Sequence, residues 1–540
     1  MRRQHLLLTI LTASILAFPS CAEDQEPEQT GHRIVAKRLG SMHRSAEDTY
    51  VISNDGCHVA YETEVQGGMS VFVDGKTGPV YDGVGKDTLV FSPDGNRVAY
   101  AARKGEKWLV VVDGEEDHAY DSIAQGTLIF SPDGERVAYV AKKGDKLLVV
   151  VDGKEGQAYD GLAQGTLVFS PDGNRVAYGA RKGEKWLVVV DGEAGPPYDL
   201  IGKGHPVFSS DNNRVAYAAK KGEKWLVVVD KEESPAYDGI IEGSPVFSPD
   251  GKRVAYGVVK SGKCLVVVDR EVGPTYDGVA LGGPWLIFSS DGKRVAYMVG
   301  KDGKSLVVVD GKEGQAYDLI GEGSPVFSPD GKRVAYGAKK GNEWFVVVDG
   351  EEGPAYDVVG KGKLFSPDGE HVAYMASKGD KGFVVVDGEE GPAYDQIRAP
   401  VFSPDGKRVA YTATKAGKAL VVVDGEEEPA YDGIVTPVFS PDSKRMAYTA
   451  AKGGKWLVVV DGNAGSPYEL IGEGSPVFSP GSKHVAYVAK KGDKWLVVVD
   501  GEAGPTYDGL VRNGPTFHNN GILEYLGYRD DVLFRVKHQP

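Results

Sequence analysis

A phenylalanine-led motif returns along this chain at Phe91, Phe130, Phe169, Phe208, Phe247, Phe288, Phe327, Phe365, Phe402, Phe439 and Phe478, and nothing else constrains the fold as tightly. Ile52 opens a degenerate first copy and Phe517 a degenerate last one, giving twelve full units and a fragment. The spacing is 39 residues, except for 41 before Phe288 and 38, 37 and 37 on the way to Phe365, Phe402 and Phe439. A unit of this length cannot bury its own apolar face, so neighbouring copies must stack.

The unit from Phe327 parses into four strands. The stretch ending at Phe327 is strand a; Ser-Pro-Asp-Gly then turns, with proline presetting φ, aspartate capping amides and glycine accepting positive φ. Arg-Val-Ala-Tyr-Gly-Ala is strand b, rich in β-formers. Trp344 to Val348 is strand c, whose unbroken apolar run predicts burial on both faces. Residues 355–359 are read as strand d, after a turn at 349–354. Turn residues interrupt every stretch that could be helical after the leader. Four antiparallel strands per unit, stacked face to face around an axis, describe an all-β propeller of about twelve to thirteen blades.

FSPDGKRVAY, a glycine turn and then LVVVDG resemble the WD40-like, TolB-type propeller repeat of bacterial exported proteins, over residues 48 to 538. That resemblance implies a docking platform or an accessory domain of a peptidase. Asp211-Asn212-Asn213 and Gly481-Ser482 depart from the usual Asp-Gly turn.

Propellers ordinarily close with four to eight blades, which favours two rings here. The longest spacing places the junction at Leu281 to Pro284, dividing the repeats into 34–283 (units 1–6) and 284–540 (units 7–13). Seven and six, one oversized ring or an open superhelix remain as alternatives. The last unit lacks strand d, and Ile34 to Arg38 is an orphan strand that would fill that edge and hide its backbone donors.

Residues 1–21 read as an export signal: Arg2 and Arg3, an apolar run from Leu6 to Phe18, and Phe18-Pro19-Ser20-Cys21, which resembles a lipobox with Cys21 as the lipid anchor. Cleavage by ordinary signal peptidase would instead release a secreted protein. The run is too short to span a bilayer. Residues 22–33 are an acidic, flexible linker. Ala22 after the cysteine favours the outer membrane by the same resemblance; the expected location is the periplasmic face or outer membrane, with no membrane contact beyond the anchor.

A net charge of −15 argues against nucleic-acid binding, which needs excess positive charge. In a four-stranded meander the b–c and c–d turns lie on opposite rims. The b–c turns are basic, and Lys104, Lys107, Lys143, Lys146, Lys221, Lys224, Lys491 and Lys494 form a candidate partner-binding rim; the c–d turns, such as Glu115 to Asp117 and Glu426 to Glu428, are acidic. Two such rims would steer a charged partner in a salt-sensitive way. The alternative is that hairpin turns simply carry soluble residues.

Asp113, Asp152, Asp191, Asp310 and Asp349 each end a valine run before glycine, which is turn chemistry; a shared metal would need six or more oxygens converging on one point, so no metal or cofactor is expected. The tyrosines of the Tyr-Asp pairs read as blade packing. Trp108, Trp186, Trp225, Trp344, Trp456 and Trp495 share one repeat position with Leu147, Cys264 and Ser305, and that tolerance predicts partial exposure. Cys57 and Cys264 fall at opposite ends of their blades and are not expected to pair. Neither G-x-S-x-G nor H-E-x-x-H occurs, and the histidines have no triad or metal spacing, so no catalytic residues are assigned. The expectation is a non-enzymatic exported platform for an envelope protein partner, with glycan or small-molecule binding at the channel mouth as the alternative.

Overall fold

The computed structural model describes residues 33–41, 51–202, 204, 206–279, 285–321, 323, 325–360, 364–511 and 515–539. The leader with Cys21 and the linker up to residue 32 lie outside the described residues. Every regular element among the described residues is a β-strand, and the strands form thirteen small antiparallel sheets. We number them as blades 1 to 13: 51–81, 83–120, 122–159, 161–198, 200–237, 239–276, 278–317, 319–356, 358–394, 396–431, 433–468, 470–507 and 509–539.

Blade 2 shows how the sequence builds each one. Val98–Lys104 pairs with Lys107–Val112 from Ala99↔Val112 to Lys104↔Lys107, closing at Gly105 with φ 63°. Asp113 and Gly114 both take positive φ (52° and 88°), the signature of the tight hairpin turn whose twist matches a β-ribbon. Leu109, Val110 and Val111 are at most 3% exposed. Leu109 and Val111 pack against Ala60 and Val71 of blade 1, whereas Val110 packs against Leu128 and Val137 of blade 3. The apolar run of strand c is therefore sandwiched, as its composition predicts.

Strand d needs a correction. Glu115–Glu116 pairs with Val111 and Val112, and Tyr120 bridges Trp108, all within blade 2. The next residues, Ser122–Ile123, pair with Ala141 and Lys142 of blade 3, whose strand b also takes Ile129–Phe130. In the same way Tyr356 bridges Trp344, but Val358–Val359 pairs with Ser377 and Ala376 of blade 9. The chain crosses between blades at the aspartate of each Tyr-Asp pair, and the segment read as one strand d serves two sheets.

The short a strands of neighbouring blades lie against one another, 51–52 beside 90–91 and 207–208 beside 246–247, and form the inner edge of the ring. The expected two rings are corrected to one closed ring of thirteen blades. Across the 281–284 junction, Ala255, Val266 and Tyr276 of blade 6 share one core with Trp285, Leu286 and Val295 of blade 7. The residues added by the long spacing bring in Trp285, 4% exposed, whose indole Nε1 donates to the Glu242 carbonyl at 3.0 Å. A Cβ on Gly257 would stand 2.4 Å from that ring, so glycine is required there. The insertion is a packing plug.

At the other end, Arg33–Ser41 pairs with Val532–Gln539 from Arg33↔Gln539 to Ser41↔Val532, with one bulge between Arg38 and Gly40. The N-terminal strand supplies the missing outer edge of blade 13, as expected. Leu39, 1% exposed, then joins Val59 of blade 1 to Leu526 and Leu533 of blade 13, closing the ring.

Candidate functional site

On the rim that carries the a–b turns, each blade grips the next. In blade 2 the Ser92 hydroxyl donates to Asp94 at 2.5 Å and accepts the Arg97 amide at 2.9 Å, which sets the turn. The Arg97 guanidinium then donates from Nε to Asp113 Oδ2 (2.8 Å) and from Nη1 to the Glu135 carbonyl of blade 3 (2.5 Å), and lies 5.6 Å over the Phe130 ring. Asp113 Oδ1 accepts the Val98 amide at 2.9 Å. Arg136, Arg175, Arg214, Arg253, Arg294, Arg333, Arg408 and Arg445 repeat the grip, with ring distances from 5.2 to 5.7 Å. Asp113, Asp152, Asp191, Asp310 and Asp349 are thus committed to an arginine and a backbone amide.

Histidine replaces the arginine in three blades: His58 Nδ1 lies 2.5 Å from Asp74, His371 Nδ1 2.6 Å from Asp387, and His484 Nδ1 2.6 Å from Asp500. The Asp387 hydrogen bond raises the His371 pKa above the usual histidine value. The sequence reading missed this clamp. Its signal was a trio with a common period: the arginine before Val-Ala-Tyr, the aspartate sixteen residues on, and the phenylalanine of the next unit.

On the opposite rim, the expected basic lysines are mostly paired. Lys104 reaches Glu116 at 3.1 Å, Lys143 reaches Glu155 at 3.0 Å and Lys221 reaches Glu233 at 3.2 Å. Lys107, Lys146, Lys224 and Lys494 pair with Asp121, Asp160, Asp238 and Asp508. Asp121 also accepts the Gly144 amide of the following blade at 2.6 Å, so the crossover aspartate ties two blades together. Glu116, assigned by sequence to the acidic rim, extends along its strand to the basic one; the charges interleave instead of segregating. Lys491 has no ion-pair partner among the described residues, because Ala503 stands where other blades carry the glutamate. Lys182 and Lys452 face Ala194 and Ala464 in the same way.

The seam between blades 13 and 1 is built differently. Glu524, 6% exposed, occupies the position of the buried alanine in the other blades and lies 3.4 Å from both Arg535 and Lys537 and 3.3 Å from His518. Arg535 also donates to Asp74 of blade 1 at 2.7 Å. Burial works against ionisation of Asp74, yet the hydrogen bond from His58 and the Arg535 charge hold its carboxyl below the usual value. Cys57, His518 and Glu524 bring ligand atoms within 4.8 Å of one another, a set of metal-binding type. A cation there would compete with Arg535 and Lys537 for Glu524. Burial, with Glu524 nearby, pushes the Cys57 thiol far up, and Cys57 and Cys264 are both free thiols. The repeated tryptophans are half-buried, as expected.

A crevice of about 680 Å³ opens at the inner edge between blades 5 and 6, walled by Phe208, Tyr217 and Phe247. The tyrosines themselves pack edge to face between blades, Tyr120 on Tyr139 at 6.2 Å for example.

No family model matches the chain, and no curated protein sequence matches it. Among solved structures, a eukaryotic initiation factor overlaps 62% of this chain and 96% of its own at 13% identity and TM-score 0.30. TolB from Acinetobacter baumannii overlaps 55% and 78% at 14% and 0.22, and the GH74 enzyme of Niastella koreensis 92% and 91% at 14% and 0.22. Overlaps this loose carry no argument about activity; the propeller rests on the sheets and their packing.

Proposed function

We propose that this chain is a non-catalytic, exported binding platform that holds a protein partner in a bacterial envelope by its loop rims, anchored through Cys21. One observation carries the reading. The arginines, aspartates, serines and tyrosines that recur in the repeat are engaged within and between blades, so the ring turns outward a circle of hairpin turns on a stiff support. Interleaved rim charges leave Lys182, Lys452 and Lys491, and likewise Lys260 opposite Val272, with charge to spare for a partner.

The test is a cross-linked pull-down from envelope extract at low and high salt, with the chain and with its Lys182→Glu, Lys452→Glu, Lys491→Glu variant. Recovery of one protein, reduced by salt and by the variant, supports the platform. Failure to recover any specific protein at either salt removes it. Export is tested separately: radiolabelled fatty acid should enter the chain and not its Cys21→Ser variant. The aromatic walls of the crevice between blades 5 and 6 favour a second reading, a glycan or small molecule held at the channel mouth, which a glycan array would detect.

A further inference from the structure

We infer that the junction between blades 9 and 10 is a binding site for a guanidinium group, presented as an arginine side chain by the protein partner. The inference rests on the platform reading and gives one of its contacts a chemistry. Nine other junctions show what the slot accepts: a guanidinium over the phenylalanine of the next blade, with Nε on the aspartate and, in eight of them, Nη1 on carbonyls of the next turn.

At this junction the arginine is replaced by His371. Its ring stops at Asp387, and a cavity of about 600 Å³ remains, lined by the same parts: Asp387, the Phe402 ring, and Gly406 and Lys407 of the next turn. Among the described residues no side chain donates to the Gly406 or Lys407 carbonyls, the equivalents of those that Arg97 bonds in blade 3. A second observation agrees. The residue that opens strand b after the turn is buried in every other blade, from Val59 and Val98 to Val485 and Leu523, but Val409 is half-buried, because nothing covers it. The wall is acidic on balance. Glu390 is held by Lys378 and Asp424 by Arg408, whereas among the described residues Glu389 has no ion-pair partner and Asp387 has only His371 besides the Val372 amide; Lys407 is the one lysine or arginine on the lining.

The other two histidine junctions differ: the His58 imidazole lies 6.3 Å from the Phe91 ring of the next blade while Arg535 from blade 13 shares Asp74, and at the His484 junction Leu523 of the next blade is fully buried. A planar fork fits an aspartate and a carbonyl pair over an aromatic face, and lysine's point charge does not, so the slot should prefer arginine.

Calorimetric titration of the whole protein tests this with N-acetyl-arginine amide, N-acetyl-lysine amide, methylguanidinium, and a short peptide with a central arginine. The expected result is saturable binding of the arginine amide, at least tenfold weaker binding of the lysine amide, tighter binding of the peptide than of methylguanidinium, and loss of all binding in His371→Arg, which fills the slot from within. Asp387→Asn should weaken binding tenfold or more. Equal affinity for arginine and lysine amides, or unchanged binding in His371→Arg, overturns the site. Methylguanidinium binding as tightly as the peptide overturns the assignment to a partner side chain. If the pull-down recovers a partner that His371→Arg still holds, the pocket fails while the platform stands.

Discussion

The junctions inside the repeat and the seam that closes the ring solve one geometric problem with different chemistry. Between blades 2 and 9, and again between blades 10 and 12, a half-exposed arginine bridges an aspartate of its own blade to a ring of the next. At the seam, residues from opposite ends of the chain meet; Glu524 places a charge in what is elsewhere an alanine position, and Arg535 and Lys537 place charges in what are valine positions in blade 2. Successive blades are linked directly by the chain; blade 13 is linked to blade 1 only through residues 33–41, which must first pair with a strand from the opposite end of the sequence. A buried, mutually dependent ion network penalises any wrong partner at that face more than it rewards the right one. Leu39 and the nine-residue N-terminal strand add the apolar and backbone part of the closure.

The sharpest way to break the comparison is at the clasp. Leu39→Ala removes a fully buried side chain and should cost about 3 kcal/mol, read as a lower urea midpoint and faster alkylation of Cys57 in a Cys21→Ser, Cys264→Ser background. Glu524→Ala restores the repeat's own residue yet leaves the buried Arg535 with Asp74 as its one carboxylate, and should cost about 2 kcal/mol in the same unfolding curve. If it raised the midpoint instead, the seam network would be a burden and not a lock. A clamp inside the repeat is a smaller matter: Arg175→Met should cost about 1 kcal/mol, since its ion pair is half in water and its ring contact is modest.

The smallest effect distinguishes the histidine junction. His371 gains its pKa rise by folding, so its pairing with Asp387 contributes fully below the unfolded histidine value and is lost as pH climbs through the raised folded one. His371→Arg keeps its charge throughout. The midpoint difference between this variant and the parent should therefore be larger at about pH 8 than at about pH 6.

The repeat, strands a to c and the N-terminal closing strand were legible in the sequence because each is written in local periodicity and turn residues; strand d was not, because its segment divides between two sheets. The ring count was not. Closure depends on whether distant ends meet, and the long spacing before Phe288 looked like a boundary because nothing in one dimension shows that Trp285 fills the space over Gly257. The rim lysines stand at the last position of strand b and the first of strand c, either side of the b–c turn. Their partners were hidden because Glu116 and its equivalents act at the far end of the strand they open. The arginine clamp failed to stand out since each member had an ordinary explanation alone, Asp113 as a turn residue and Arg97 as a soluble one.

Thirteen blades close as one ring with residues 33–41 as the last strand. Electron microscopy of the purified chain tests it most directly. Class averages should show a single closed annulus with thirteen lobes around an open centre, which opens into an arc when residues 33–41 are deleted. Two smaller rings joined near residue 283, or an arc from the intact chain, would contradict it.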